Sequence, residues 1–170
     1  NTTRVFTKIF LALFNCFPWK LIPSLPTEIM LLPPSFFLSV YDFASWARST
    51  LIPISVLLHC KPVKPIPLEG RIDEIMGNGF CPQKRPDIFQ RAFLVADKIL
   101  KLYEKVPMNG LRERGLKSAE RWILDHQEPS GDWGGIQPAM INSLLALNAL
   151  GYPADHPVMA RGLKALERFC

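Results

Sequence analysis

Residues 115–122 read GLKSAERW and residues 162–169 read GLKALERF, so Gly, Leu, Lys, Glu and Arg coincide at a spacing of 47 and an aromatic closes each copy. That spacing accommodates one helix, a connection, a second helix and another connection, the length of a helical-hairpin repeat. Such hairpins bury their apolar faces only against neighbours. The repeat therefore predicts an all-α fold of stacked α-hairpins, closed into a ring or left open as a solenoid. Composition agrees: 170 residues with 48% hydrophobic and 21% charged residues exclude a disordered chain and suffice for one modest core.

The remaining helices follow from capping and proline signals. Residues 4–14 form a helix that Thr2 or Thr3 can cap and that Pro18 stops, apolar on more than one face. Pro23, Pro26, Pro33 and Pro34 enclose EIMLL, which reads as stiff connected turns with at most a short helix. Residues 41–59 read as one long apolar helix, capped by Ser39 or Asp42, in which Pro53 introduces a kink or a break. Residues 61–86, rich in proline and glycine, are an irregular connection. Within it Gly77-Asn78-Gly79 is a turn rather than a phosphate loop, because no strand precedes it and no helix opens on it.

Asp87 can cap an amphipathic helix whose apolar stripe runs through Ile88, Phe89, Ala92, Phe93, Val95, Ala96, Ile99, Leu100 and Tyr103. Core packing is the ordinary role of such a stripe, and contact with a membrane surface is the sharper alternative. Helices over 111–126, 138–150 and 156–169 complete the chain, with Gly151 as a stop and Asp155-His156-Pro157 as a start. Three segments result: apolar helices and turns over 1–60, the connection over 61–86, and hairpin helices over 87–170.

Several function classes are excluded. The net charge of +5 is diffuse, with no basic run interleaved with aromatics, so nucleic acid is not a partner. Cys16, Cys60, Cys81 and Cys170 form no CxxC pair and, with His59, His126 and His156, no zinc spacing; they read as free thiols facing the cytosol, and no metal site is expected. The uncharged runs over 9–19, 29–41 and 49–60 are all shorter than the roughly 20 residues a membrane span requires. Because the chain starts at Asn1 and stops at Cys170 within a helical pattern, it reads as an internal stretch of a longer protein.

Between the two repeat copies lies QEPSGDWGG, residues 127–135. Glu128-Pro129 ends the preceding helix, glycines permit a tight reversal, and Trp133 offers a plate on which the Gln127 amide can stack while serving helix ends. An ordinary α-hairpin connection with a buried Trp is the plain reading of those residues. Asp125, Glu128 and Asp132 beside it read as helix-end and surface groups rather than a general-acid pair. Asp42 and Arg48, polar residues in an apolar helix, each require a partner or solvent.

Gln127, Gly131 and Trp133 also match the Q-x-x-x-G-x-W repeat of triterpene cyclases, and GDWGGIQPAM resembles bacterial squalene-hopene cyclases. A second anchor is YDFASWARST, residues 41–50, and with IPSLPTEIMLLPP and DHPVMARGLKAL the resemblance covers nearly the whole chain. The family implies part of an α/α barrel (toroid) in an enzyme that sits monotopically on a membrane. It implies cyclisation of squalene to hopene or hopanol by protonation of a terminal double bond, in hopanoid biosynthesis, with no metal or organic cofactor. The family's acid lies in a D-x-D-D motif. Residues 1–170 contain none, so no catalytic residue is expected in this stretch and it is expected to be inactive alone.

By the same resemblance Trp46 is a cavity aromatic, Phe43 and Leu51 line a substrate channel, and Ile136, Gln137 and Pro138 form cavity wall, while Gln127, Gly131 and Trp133 are structural. From spacing alone, Phe43, Trp46 and Thr50 lie on one helical stripe and plain core remains open for each. The implied partners are squalene and the membrane surface on the cytoplasmic side of a bacterial cell; a homodimer stays open. Two other readings remain: a related terpene cyclase acting on a different polyprenyl substrate, and a non-enzymatic α-hairpin scaffold that binds proteins.

Overall fold

The computed structural model describes residues 5–36, 39–67, 88–104, 106 and 109–168, and all regular structure among them is helical. The helices are α1 (Val5–Leu13), α2 (Ser45–Cys60), α3 (Ile88–Tyr103), α4 (Asn109–Asp125), α5 (Gln137–Ala149) and α6 (Pro157–Glu167). Short 3-10 turns cover Trp19–Leu21, Thr27–Leu31 and Val40–Asp42. The expected turn at Gly77-Asn78-Gly79, the Asp87 cap, Cys81 and Cys170 lie outside the described residues. None of the described helices is long and apolar enough to cross a membrane.

The chain groups into two compact units whose boundaries cut across the three segments suggested by composition: Asn1–Ser24 with Lys61–Val106, and Leu25–Cys60 with Pro107–Cys170. In the first, α1 buries Ile9, Ala12 and Leu13, and the Leu13 carbonyl accepts the Lys64 N–H at 2.7 Å, drawing the start of the connection back to the end of α1.

In the second unit α2 is central. Residues 52–58 are buried without interruption, which needs neighbours on every side, and α5, α4 and the 3-10 turn Thr27–Leu31 supply them. Pro53 is inside this run, and of the two outcomes expected there, a kink or a break, the helix shows no break. The Ser49, Thr50 and Ser55 hydroxyls donate to carbonyls of Ser45, Trp46 and Ile52 at 3.1, 3.1 and 2.7 Å, so these three hydroxyls are satisfied by the helix's own backbone. On α5 lies α6, and each turns small residues to its neighbours.

Two features of the repeat now have a cause. Gly115 and Gly162 head its two copies, and both are close-approach positions. A Cβ on Gly115 would sit 2.8 Å from the Thr27 carbonyl carbon and oxygen; one on Gly162 would sit 2.8 Å from Leu144 Cδ2 and 2.9 Å from Trp133 Cζ3. Gly151 ends α5 as expected. With φ +96° it lets its own N–H reach the Asn148 carbonyl and that of Tyr152 the Leu147 carbonyl, both at 3.0 Å, the double-bonded Schellman closure. His156 begins α6 with its ring Nδ1 accepting from the Val158 N–H at 3.4 Å, followed by Pro157 at the first helical position.

Candidate functional site

The expected cavity residues occupy the start of α2 and the start of α5. Ser39 does cap, but it caps the 3-10 turn Val40–Asp42, accepting from the Tyr41 N–H at 3.4 Å; α2 begins only at Ser45. Phe43 therefore has extended backbone (φ −83°, ψ 146°) and is not on the α2 stripe of Trp46 and Thr50 that the spacing suggested. The stripe itself divides: Thr50 is buried, whereas Trp46 is 64% exposed and Phe43 36%. Both rings are thus exposed within residues 1–170. Leu51 is half-buried, and Asp42 is exposed to solvent.

Arg48, one turn after Phe43 and Ala44, is half-buried with its guanidinium 5.8 Å from the Tyr41 ring centre, a cation–π contact that answers part of its need for a partner. Its Nε remains buried without a hydrogen bond.

At α5, Ile136 is the half-buried residue before the helix, in extended backbone, and Gln137 and Pro138 are exposed at its first positions. A Cβ on Gly134 would lie 3.7 Å from Ser49 Oγ. Ser49 is one turn beyond Trp46, and Gly134 is two residues before Ile136. The fold thus brings the two sets of expected wall residues, distant in sequence, to one end of the α2 and α5 pair.

Behind that end, the turn from Gln127 to Gly135 is locked by side chains whose roles differ from those expected. Trp133 is completely buried, and it is its indole N–H that serves a helix end, donating to the Ile123 carbonyl in the last turn of α4 at 2.7 Å. The Gln127 amide N–H group donates to Gly131 and Val158 carbonyls at 3.0 and 2.8 Å, and its oxygen accepts from Arg161 Nη2 at 2.7 Å and Nε at 3.2 Å. Gln127 thus ties the turn to α6. Gly131 has φ +92°, and a Cβ there would fall 2.5 Å from the Arg161 carbonyl oxygen, so only glycine fits.

Asp132, expected at the surface, is instead buried, with its carboxylate accepting the Gly135 N–H at 3.0 Å. Asp125 and Glu128 are exposed. Arg161 and Arg168, which reaches the Ser130 carbonyl, were not singled out from sequence. The signal was present, since Arg114 and Arg161 extend the repeat by one residue, to RGLK, in both copies.

Two titrations are displaced. Tyr152 is pushed up to about 12, chiefly because its hydroxyl donates to Glu120 Oε1 at 2.7 Å, with burial and the Glu120 charge adding to it. Burial raises the Cys60 thiol; Cys60 and Cys16 are both free, as expected.

A family model described as the squalene-hopene cyclase N-terminal domain matches residues 1–170. The chain belongs to the squalene-hopene cyclase family. Its relatives include a dammaradiene synthase of Dryopteris crassirhizoma, 36% identical over 98% of this chain and 25% of that protein, and a squalene–hopene cyclase of Alicyclobacillus acidocaldarius, 34% identical over 99% of this chain and 27% of that protein. A terpene cyclase-glycosyl transferase fusion protein of Humicola fuscoatra is 39% identical over 99% of this chain and 14% of its own length. The chain thus spans about a quarter or less of these relatives. The all-helical architecture agrees with the α/α-barrel fold of squalene-hopene cyclases, and the fold expected from the repeat and the Q-x-x-x-G-x-W turn is the one observed.

Proposed function

We propose that this chain supplies wall residues of a squalene-hopene cyclase that converts squalene to hopene or hopanol. The observation that supports this reading is that Phe43 and Trp46 are exposed at the start of α2, the end that Gly134, two residues before Ile136, approaches at Ser49, in a domain whose family is known. In the reaction a carboxylic acid outside residues 1–170 protonates a terminal double bond, and successive alkene π pairs attack the resulting cation. Loss of a proton, or capture by water, ends the sequence. Aromatic faces stabilise such a cation by about 2 kcal/mol once water is excluded, and an apolar wall delays quenching. Leu51 narrows the channel and Gln137 is the polar group of the wall.

Squalene is dissolved in the bilayer, so the enzyme must meet it there. The open apolar edge of α3 supports monotopic attachment to a membrane, which on this reading is the cytoplasmic face of a bacterial cell: Val95 and Ile99 of the expected stripe, and Leu102 beside them, are all more than half exposed.

The test is squalene conversion by the full-length protein and its Trp46→Ala variant. Pentacyclic product from the parent and partly cyclised products from the variant are expected. An unchanged product profile would remove Trp46 from the cavity, and no conversion by the parent would remove squalene as substrate. The 36% identity to a dammaradiene synthase favours one second reading, a related cyclase with another product, which the same assay distinguishes by product identity.

A further inference from the structure

Helix α3 leaves one apolar edge open and half-covers a charged one, with Leu100 and Tyr103 half-buried between them. Asp97 and Lys101 follow at helical spacing, and Glu104 continues the spiral one residue past the helix through its N–H bond to the Leu100 carbonyl at 2.9 Å. This charged edge is the covered one, with side chains 22%, 33% and 32% exposed. Val95, Ile99 and Leu102 share the opposite edge and are 57%, 61% and 62% exposed. An amphipathic helix left to itself does the reverse.

Polar contacts to the end of the preceding segment hold the charged edge. The Ser24 backbone N–H donates to Asp97 Oδ1 at 2.8 Å, and the Ser24 hydroxyl donates to Glu104 Oε1. Lys101 Nζ holds Asp97 Oδ2 at 2.6 Å, and Lys61 Nζ stands 3.7 Å from Glu104 Oε2. Both acids of the edge are thereby engaged through one residue, Ser24, two turns apart along the helix.

We infer that Ser24, Asp97 and Glu104 form a clasp that fixes the roll of α3 and so keeps its apolar edge presented to an anionic lipid surface. The inference rests on the membrane attachment proposed above. Charge favours that occupant: Arg91 and Lys98 are exposed beside the apolar edge, while the acids are drawn to the opposite side into the clasp. Without the clasp, a roll of about half a turn would bury the three apolar side chains and return the charges to water. The clasp opposes that roll, and lipid affinity scales with the fraction of molecules in the presenting state.

The experiment is sedimentation of the full-length protein with vesicles of phosphatidylcholine and phosphatidylglycerol. Ser24→Ala with Glu104→Gln breaks the Glu104 half of the clasp and leaves the backbone N–H bond to Asp97, Ile99→Ser with Leu102→Ser removes the edge, and Ser24→Thr keeps both donors. The clasp variant is expected to bind about tenfold more weakly, roughly what one charge-assisted hydrogen bond is worth, with Ser24→Thr like the parent and the edge variant weakest. Deuterium exchange on α3 in the unbound protein supplies a readout independent of lipid: the clasp variant should gain protection at Ile99 and Leu102 as they turn inward. Loss of binding in the edge variant with parental binding and exchange in the clasp variant overturns the clasp and leaves membrane attachment standing. Parental binding by the edge variant overturns membrane attachment and the clasp's purpose with it.

Discussion

Three helical glycines make opposite predictions for the same substitution. Replacing Gly by Ala inside a helix gains about 1 kcal/mol from backbone propensity where there is room for the methyl group. Gly110 has nothing within 4 Å of its would-be Cβ, so Gly110→Ala should stabilise, by less than that because it lies in the first turn of α4. At Gly115 the methyl would meet Thr27 C and O at 2.8 Å and Glu28 N at 2.9 Å, all backbone of the turn Thr27–Leu31, which cannot rotate away. Overpacking of that kind costs about 3 kcal/mol, leaving a net loss of about 2.

Gly162 is intermediate. Leu144 Cδ2, at 2.8 Å, is the mobile end of a side chain, but the Trp133 ring at 2.9 Å is fully buried and hydrogen-bonded, so a net loss of about 1 kcal/mol is expected. Urea unfolding of the full-length protein, followed by deuterium exchange in peptides of α4 and α6, should therefore order the proteins Gly110→Ala, parent, Gly162→Ala, Gly115→Ala from most to least stable. A Gly115→Ala protein as stable as the parent would refute the claim that the leading glycine of the repeat exists for close approach.

Trp133→Phe should destabilise by about 3 kcal/mol in the same assay, through a void and a buried Ile123 carbonyl left without its donor; a loss under about 1 would mean that the indole bond contributes little. Tyr152 should ionise near pH 12 rather than 10, read as tyrosinate absorbance missing from Tyr152→Phe. Because the folded state favours the protonated phenol, its contribution to stability is fully present below pH 10 and is lost as pH rises through about 12. In so exposed a pair that contribution stays below about 1 kcal/mol, and a parent-to-variant gap that widens above pH 10 would contradict it.

The helices from residue 109 onward were legible because each carries its own boundary chemistry, as at Gly151 and His156-Pro157. The start of α2 was not. Tyr41 and Asp42 are compatible with helix, and nothing local signals that Phe43 steps out into extended backbone before α2 starts at Ser45. At Pro53 the sequence left a kink and a break both open, and burial on every side keeps the helix continuous through a residue that isolated propensity would reject. The open edge of α3 was invisible to periodicity, which locates an apolar stripe but not the direction it faces, and the bonds of Asp97 and Glu104 to Ser24 join residues far apart in sequence. Gln127 and Trp133 were found, but the indole bond to Ile123 was not, because a motif fixes which groups gather and not which donor reaches which carbonyl.

The exposure of Trp46 has an evolutionary corollary. Its side chain stands on the free end of a helix whose other three-quarters is gripped by neighbours, so among residues 1–170 it contributes little to holding the fold. If Trp46 and Phe43 line the proposed wall, substitutions there can alter what it presents to its contents without first being filtered for stability, whereas changes at Gly115, Gly162 or Trp133 cannot. A scaffold divided in this way can acquire new products by trial at a few rim positions while its framework is left unaltered.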